Sequence, residues 1–218
     1  MIIAIDGPAG AGKSTVARLL ARKLNFLYID TGAMYRALTL KALDNNIPVK
    51  DTEKIIELAA NSSIDLINDS AAAIRVLLDG RDVTTAIRQP RITQFVSEIA
   101  RIAQVRAVMV QLQRKLGSQG NVVLDGRDIG TIVFPSADRK FYVDAEFKER
   151  VNRRYKEALG LGQGLTPEAV SEDLANRDNI DSNREVAPLK KAADAVYIDT
   201  THMSIEEVVD KLLIEVHG

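Results

Sequence analysis

Cysteine is absent from the 218 residues, and histidine occurs only twice, as His202 and His217 near the C-terminus. Without cysteine there are no disulfides, thiolate nucleophiles or thiolate-held zinc, which fits a reducing, cytoplasmic setting. Two histidines near one end leave no material for a histidine-based catalytic triad or a multi-histidine metal centre, and neither is assigned a role. Long apolar runs are missing too. None approaches 18 residues, and Asp6 interrupts the one at the N-terminus, so neither a membrane span nor a secretory leader is expected. Neither charge sign dominates: 29 basic residues against 30 acidic ones leave −1. Binding of a nucleic acid polymer or an anionic membrane over the whole surface is therefore disfavoured, and cationic chemistry must come from local clusters. No Pro/Gly/Ser-rich linker separates two halves. With 46% hydrophobic and 27% charged residues, the chain reads as one globular unit carrying insertions.

What is present is a rhythm of buried strands and amphipathic helices. Ile2-Ile3-Ala4-Ile5 is a short continuous apolar run, the pattern of a strand covered on both faces. Val16, Leu19, Leu20 and Leu24 then recur at helical spacing. Phe26–Ile29, Val122–Leu124, Lys140–Val143 and Ala195–Ile198 read as further strands, with helices expected near 34–43, 146–159, 166–178 and 204–216. Thr31 is the expected cap of the second helix. The alternation predicts an α/β fold, a parallel sheet covered by helices on both faces. Residues 62–90 break it: Ile64–Ile67 and Ile74–Leu78, with Asp79-Gly80 as a turn, predict a small antiparallel insertion. Asp79-Gly80-Arg81-Asp82 recurs as Asp125-Gly126-Arg127-Asp128. Only the second copy follows a buried strand, where ligands of open α/β sheets bind.

Gly7-Pro8-Ala9-Gly10-Ala11-Gly12-Lys13-Ser14 satisfies G-x-x-x-x-G-K-[ST] between a predicted strand and a predicted helix. Glycines let successive backbone N–H groups turn inward around phosphate oxygens, and the helix start adds a positive dipole end. Lys13 would neutralise the β- and γ-phosphates of ATP, and the Ser14 hydroxyl would ligate Mg²⁺. Three uses of such a loop stay open on this evidence. A GTPase switch needs D-x-x-G and N-K-x-D, and the chain contains neither. An assembly ATPase usually has a hydrophobic strand ending in two adjacent acids, whereas Val122-Val123-Leu124-Asp125 runs on into Gly126 and Arg127. A small-molecule kinase needs a second anion site. Here arginine supplies 17 of the 29 basic residues, with Arg36, Arg127, Arg150, Arg153, Arg154, Arg177 and Arg184 beside predicted element ends.

The segments Asp6–Thr15, Tyr28–Arg36, Asp125–Thr131 and Arg177-Asp178…Asp181…Arg184 with Ala187-Pro188-Leu189 resemble the bacterial cytidylate kinase family over almost the whole chain. The resemblance implies a P-loop nucleoside monophosphate kinase fold. Its core would span about 1–35, 117–147 and 186–218, its monophosphate-binding region about 36–116, and a short lid about 148–185. It implies a cytoplasmic monomer using ATP, with Mg²⁺, to phosphorylate CMP and dCMP. The cofactor site would be Gly7 through Thr15. Arg36, Arg127 and Arg184 would grip the acceptor phosphate, and Arg177 and Asp181 would face the sugar. Ser97, Arg106 and Asp128 would read cytosine. Arg150, Arg153 and Arg154 would approach the transferring group, which makes Lys13, Arg127, Arg150, Arg154 and Arg184 the catalytic set. A kinase for another nucleotide or a small metabolite is the alternative.

The base assignment is chemically coherent. A carboxylate accepts from the exocyclic amine of cytosine, while Arg106 and Ser97 can donate to its acceptors; uracil reverses two of these positions and leaves buried groups unpaired. Ser97 and Arg106 are nine residues apart. On an unbroken helix they would lie about 180° apart, so a break around residues 100–105 is expected. Relatives often have proline near Ala103, and this chain does not.

Overall fold

A computed structural model describes residues 1–68 and 74–218. The chain begins with β1 (Ile2–Asp6), α1 (Lys13–Leu24), β2 (Leu27–Asp30), α2 (Thr31–Asp44) and α3 (Thr52–Ala60). The strands β3 (Ile64–Asn68), β4 (Ile74–Leu78) and β5 (Arg81–Asp82) follow, then α4 (Pro90–Ala100), α5 (Ala103–Gly117) and β6 (Val122–Gly126). Last come β7 (Arg139–Asp144), α6 (Phe147–Gly160), α7 (Pro167–Asn183), β8 (Val196–Asp199) and α8 (Ile205–His217).

Five strands form one parallel sheet in the spatial order β2-β6-β1-β7-β8. Side chains alternate between its two faces, and both faces are covered. Ala4, Ile29, Val122 and Leu124 point into a core shared with α2, α4 and α5. Ile3, Ile5, Tyr28, Val123, Phe141 and Val143 point into a second core under α1 and α8. Burial on both faces is why these strands read as continuous apolar runs rather than alternating ones. The expected α/β architecture is what the structure has.

The antiparallel insertion is present as a three-stranded sheet, β3-β4-β5. Asp79 and Gly80 connect the paired residues Leu78 and Arg81, with φ of 50° and 79°, the left-handed pair that a tight hairpin requires. The third strand is the short Arg81–Asp82, and just beyond it the Thr84 hydroxyl accepts from the Val76 amide of β4 at 3.0 Å. Residues 69–73 of the expected insertion lie outside the described residues. The helix break falls at Arg101 and Ile102, where extended backbone at Ile102 ends α4 and opens α5. A third small cluster, Ala9 with Val170 and Leu174, seats the α6–α7 hairpin on the phosphate loop. Thr31 does not cap α2: Asp30 does, accepting from the Ala33 amide at 2.9 Å, while the Thr31 hydroxyl donates to the Asp125 carbonyl at 2.7 Å.

Candidate active site

The turn between β1 and α1 has no side-chain cap among the described residues. Gly12 sits at the N-cap with φ 88°, and no acidic residue occupies the first turn. Open amides and an uncompensated dipole end suit an anion. Ala9 through Thr15 line a cleft of about 670 Å³, a volume in the range of small-ligand sites. Gly7 and Pro8 support the loop from behind. A Cβ at Gly7 would stand 2.0 Å from the Val143 carbonyl oxygen, so only glycine lets β1 pass β7 there. The Pro8 carbonyl accepts from Lys13 Nζ at 2.7 Å. Lys13 is buried, and burial together with nearby Arg127 pushes its ammonium down to about 7. An ammonium held in that condition favours an arriving phosphate.

Beside the lysine stands a pair of carboxylates. Parallel pairing of β2 with β6 sets Asp30 directly opposite Asp125. Asp125 accepts from the Ser14 hydroxyl at 2.8 Å and from the Tyr28 hydroxyl at 2.7 Å. Burial, reinforced by Asp30, pushes the Asp125 carboxyl up to about 6. A hydroxyl and a carboxylate in contact, facing a phosphate site, match the donors Mg²⁺ takes when it keeps several waters. The described residues contain no cluster of three or more His, Cys, Asp or Glu that could hold a metal by themselves.

A smaller cavity of about 50 Å³ adjoins the cleft and shares Gly32, Gly126, Arg127 and Arg177 with it. Its walls bring together Ser97, Arg106, Asp128, Asp181 and Arg184. The α4–α5 break lets Ser97 and Arg106 reach the same space. Charges interleave tightly here. Arg106 bonds Asp128 through a very short contact and the Ala100 carbonyl at 3.1 Å. Arg127 bonds Asp181 at 2.8 Å, and Arg184 lies 3.6 Å from Asp128 and 3.7 Å from Asp181. Burial opposes ionisation of Asp181, but Arg127, Arg177 and Arg184 outweigh it and hold the carboxyl below its usual range. Four arginines thus face two aspartates. Arg177 Nε and Arg184 Nη2 are buried with no hydrogen-bond partner among the described residues. Arg36, on the cleft side, bonds Thr93 Oγ1 at 2.9 Å and the Ile87 carbonyl at 3.4 Å. Burial, with Arg177 and Arg154 nearby, pushes it down to about 9.

Arg150, Arg153 and Arg154 divide. Arg153 and Arg154 line the cleft, with Arg153 bonded to Thr200 and Arg154 paired to Glu157. Arg150 does not line it. Its guanidinium holds the Ala9 carbonyl at 3.1 Å, the Ala145 carbonyl at 3.1 Å and Asp178 at 2.5 Å, and lies over the Phe147 ring. In this arrangement Arg150, expected to approach the transferring group, supports the loop backbone.

Sequence reasoning gave no role to Asp30, Tyr35, Thr200, Thr201 or 203–205, all of which line one of the two cavities, and marked Asp125 only as part of the Asp125–Asp128 motif. Asp125 carried a visible signal as the acid ending a buried strand. Its partner was hidden because the second acid lies on the neighbouring strand, not at the next residue.

The sequence model of one protein family, cytidylate kinase, matches residues 3–218. A curated cytidylate kinase of Clostridioides difficile is 50% identical over 217 residues, covering 100% of this chain and 98% of that one. One of Bacillus subtilis is 50% identical over 211 residues, covering 97% and 94%. Among solved structures, shikimate kinase from Bacteroides thetaiotaomicron is similar with a TM-score of 0.52 at 13% identity, covering 100% of this chain and 99% of that chain, a likeness of fold alone. With a sequence match over nearly its whole length and the architecture of P-loop kinases around its phosphate loop, the chain belongs to the cytidylate kinase family of nucleoside monophosphate kinases.

Proposed function

We propose that the protein transfers the γ-phosphoryl group of ATP to CMP, and also to dCMP, giving the nucleoside diphosphate and ADP. The observation that carries this reading is the junction of the two cavities. The ATP loop opens on one, the base-reading set lines the other, and Arg127 and Arg177 belong to both. Lys13 and the open amides of α1 hold the triphosphate. Arg36, Arg127 and Arg184 receive the acceptor phosphate, Arg177 and Asp181 meet the sugar, and Ser97, Arg106 and Asp128 the base. Arg154, with Arg153, approaches from the lid. The attacking phosphate oxygen is already anionic, so no general base is required. Catalysis then rests on positioning and charge stabilisation. Ser14 and Asp125 would hold Mg²⁺, which when bound neutralises charge on the transferring phosphates.

The core, monophosphate-binding region and lid are assigned as about 1–35 with 117–147 and 186–218, about 36–116, and about 148–185. Lid closure over both substrates would exclude water and limit ATP hydrolysis. We place the protein in the cytoplasm as a monomer; none of the described helices is long and apolar enough to cross a membrane. ADP formation against CMP, dCMP, UMP, AMP and shikimate, with Mg²⁺ present, tests the reading. The expected result is highest kcat/KM with CMP. Highest turnover with shikimate, or phosphate release without an acceptor, would overturn it.

A further inference from the structure

We infer that Asp6 is a positioning residue for the acceptor nucleotide, its buried carboxylate fixing the turn that presents Arg127 and Asp128. The inference rests on the CMP kinase reading. Asp6 ends β1, one residue before the phosphate loop, and lies opposite Gly126 in the parallel register. It is 3% exposed. No lysine or arginine pairs with it among the described residues. Its two oxygens instead accept the backbone N–H groups of Ile129 and Gly130, each at 2.8 Å. Those amides open the π-helical turn Ile129–Val133, directly after Arg127 and Asp128. A buried carboxylate without such donors would be strongly unfavourable, so the turn and the carboxylate hold each other in place.

The chemistry favours aspartate specifically. Two converging N–H donors need two acceptor oxygens, and asparagine offers one while turning an NH₂ group toward the other donor. The phosphate loop also has anchors of its own. Gly7 is placed by the close passage of the Val143 carbonyl, and Lys13 is held by the Pro8 carbonyl. Loosening Asp6 should therefore let the 127–130 turn shift while the phosphate loop stays formed.

The test is Asp6→Asn in the full chain, with KM and kcat measured for CMP, UMP and ATP. Losing one charge-assisted bond should raise KM for CMP about tenfold and lower the CMP:UMP ratio of kcat/KM to a similar degree, with KM for ATP within about twofold. In an Asp128→Ala background the same substitution should leave the CMP:UMP ratio nearly unchanged, because Asp6 acts through Asp128. Equal rises in KM for CMP and ATP, a fall in Tm with unchanged kinetics, or independent multiplication of the two effects would overturn the inference. A wild-type protein that fails to phosphorylate CMP overturns the functional reading and the inference with it. A wild type that works, matched by Asp6→Asn, overturns the inference alone. Should Asp6→Asn not fold, Asp6→Ser carries the same kinetic test. Hydrogen exchange on the wild type decides independently: slow exchange at Ile129 and Gly130, slowed further by CMP but not by ATP, is expected, and fast exchange overturns the proposal.

Discussion

Burial acts in opposite directions on the two charged groups beside the phosphate loop. It lowers Lys13 to about 7 and raises Asp125 to about 6, each toward its neutral form. A triphosphate beside Lys13 favours the ammonium, so ATP binding takes up a proton above about pH 7, and affinity should fall as pH rises from about 7 toward 9. Below about pH 6 Asp125 protonates, and on its proposed role in holding Mg²⁺ kcat/KM for ATP should fall there too. The expected profile is a bell; burial also raises Asp6 to about 6, so Asp125→Asn should lower activity throughout while part of the acid limb remains. Steady-state rates from pH 5 to 9 check this. Lys13→Met removes a buried ammonium that Arg127 repels. It should cost about 10²–10³ in kcat/KM, the scale of losing one preorganised charge-stabilising group, without lowering Tm. Calorimetry beside kinetics separates the two effects, and a Tm loss of many degrees would contradict the electrostatic account.

At the scale of elements, function depends on where helices and strands stop. The break at Arg101–Ile102 turns a geometric conflict between Ser97 and Arg106 into a shared cavity wall. The sequence exposed that conflict through spacing alone, because nine residues of ideal helix reverse direction. The α6–α7 hairpin shows the opposite case. Its loop after α6 reaches the insertion through Gln163, whose amide donates to the Arg88 carbonyl at 3.1 Å, a contact joining residues 75 positions apart. Nothing in the periodicity around Gln163 foretells it. Gln163→Ala should raise hydrogen exchange across 160–166 while changing global stability by no more than about 0.5 kcal/mol, as for other exposed polar contacts. Exchange mass spectrometry and a denaturant titration read the two quantities.

Over the whole molecule, the helices and strands between β2 and β6 do not stand apart from the parallel sheet. One core contains Ala4, Ile29, Val122 and Leu124 of the sheet, Leu38 of α2, Ile99 of α4, Met109 of α5 and Val76 of the insertion. A shared interior of that kind predicts one cooperative unfolding transition. Leu38→Ala, at a fully buried position, should destabilise by about 2–5 kcal/mol and move that single transition down rather than split it in two. Differential scanning calorimetry would show either outcome.

What the sequence determined by itself was local or periodic: the phosphate loop in its strand–helix setting, the both-faces-buried strands, the hairpin at Asp79-Gly80 and the need for a helix break. Each follows from neighbours a few residues apart, where backbone geometry and hydrophobic period leave little choice. What only the tertiary structure decided was pairing between distant segments. Asp30 stands beside Asp125 because two parallel strands fall in register. Arg150 turns to the Ala9 backbone because the α6–α7 hairpin packs on the loop. Asp6 meets the amides of Ile129 and Gly130 across more than 120 residues. Such contacts depend on register, packing and the direction of a buried side chain, and no spacing within one segment encodes them.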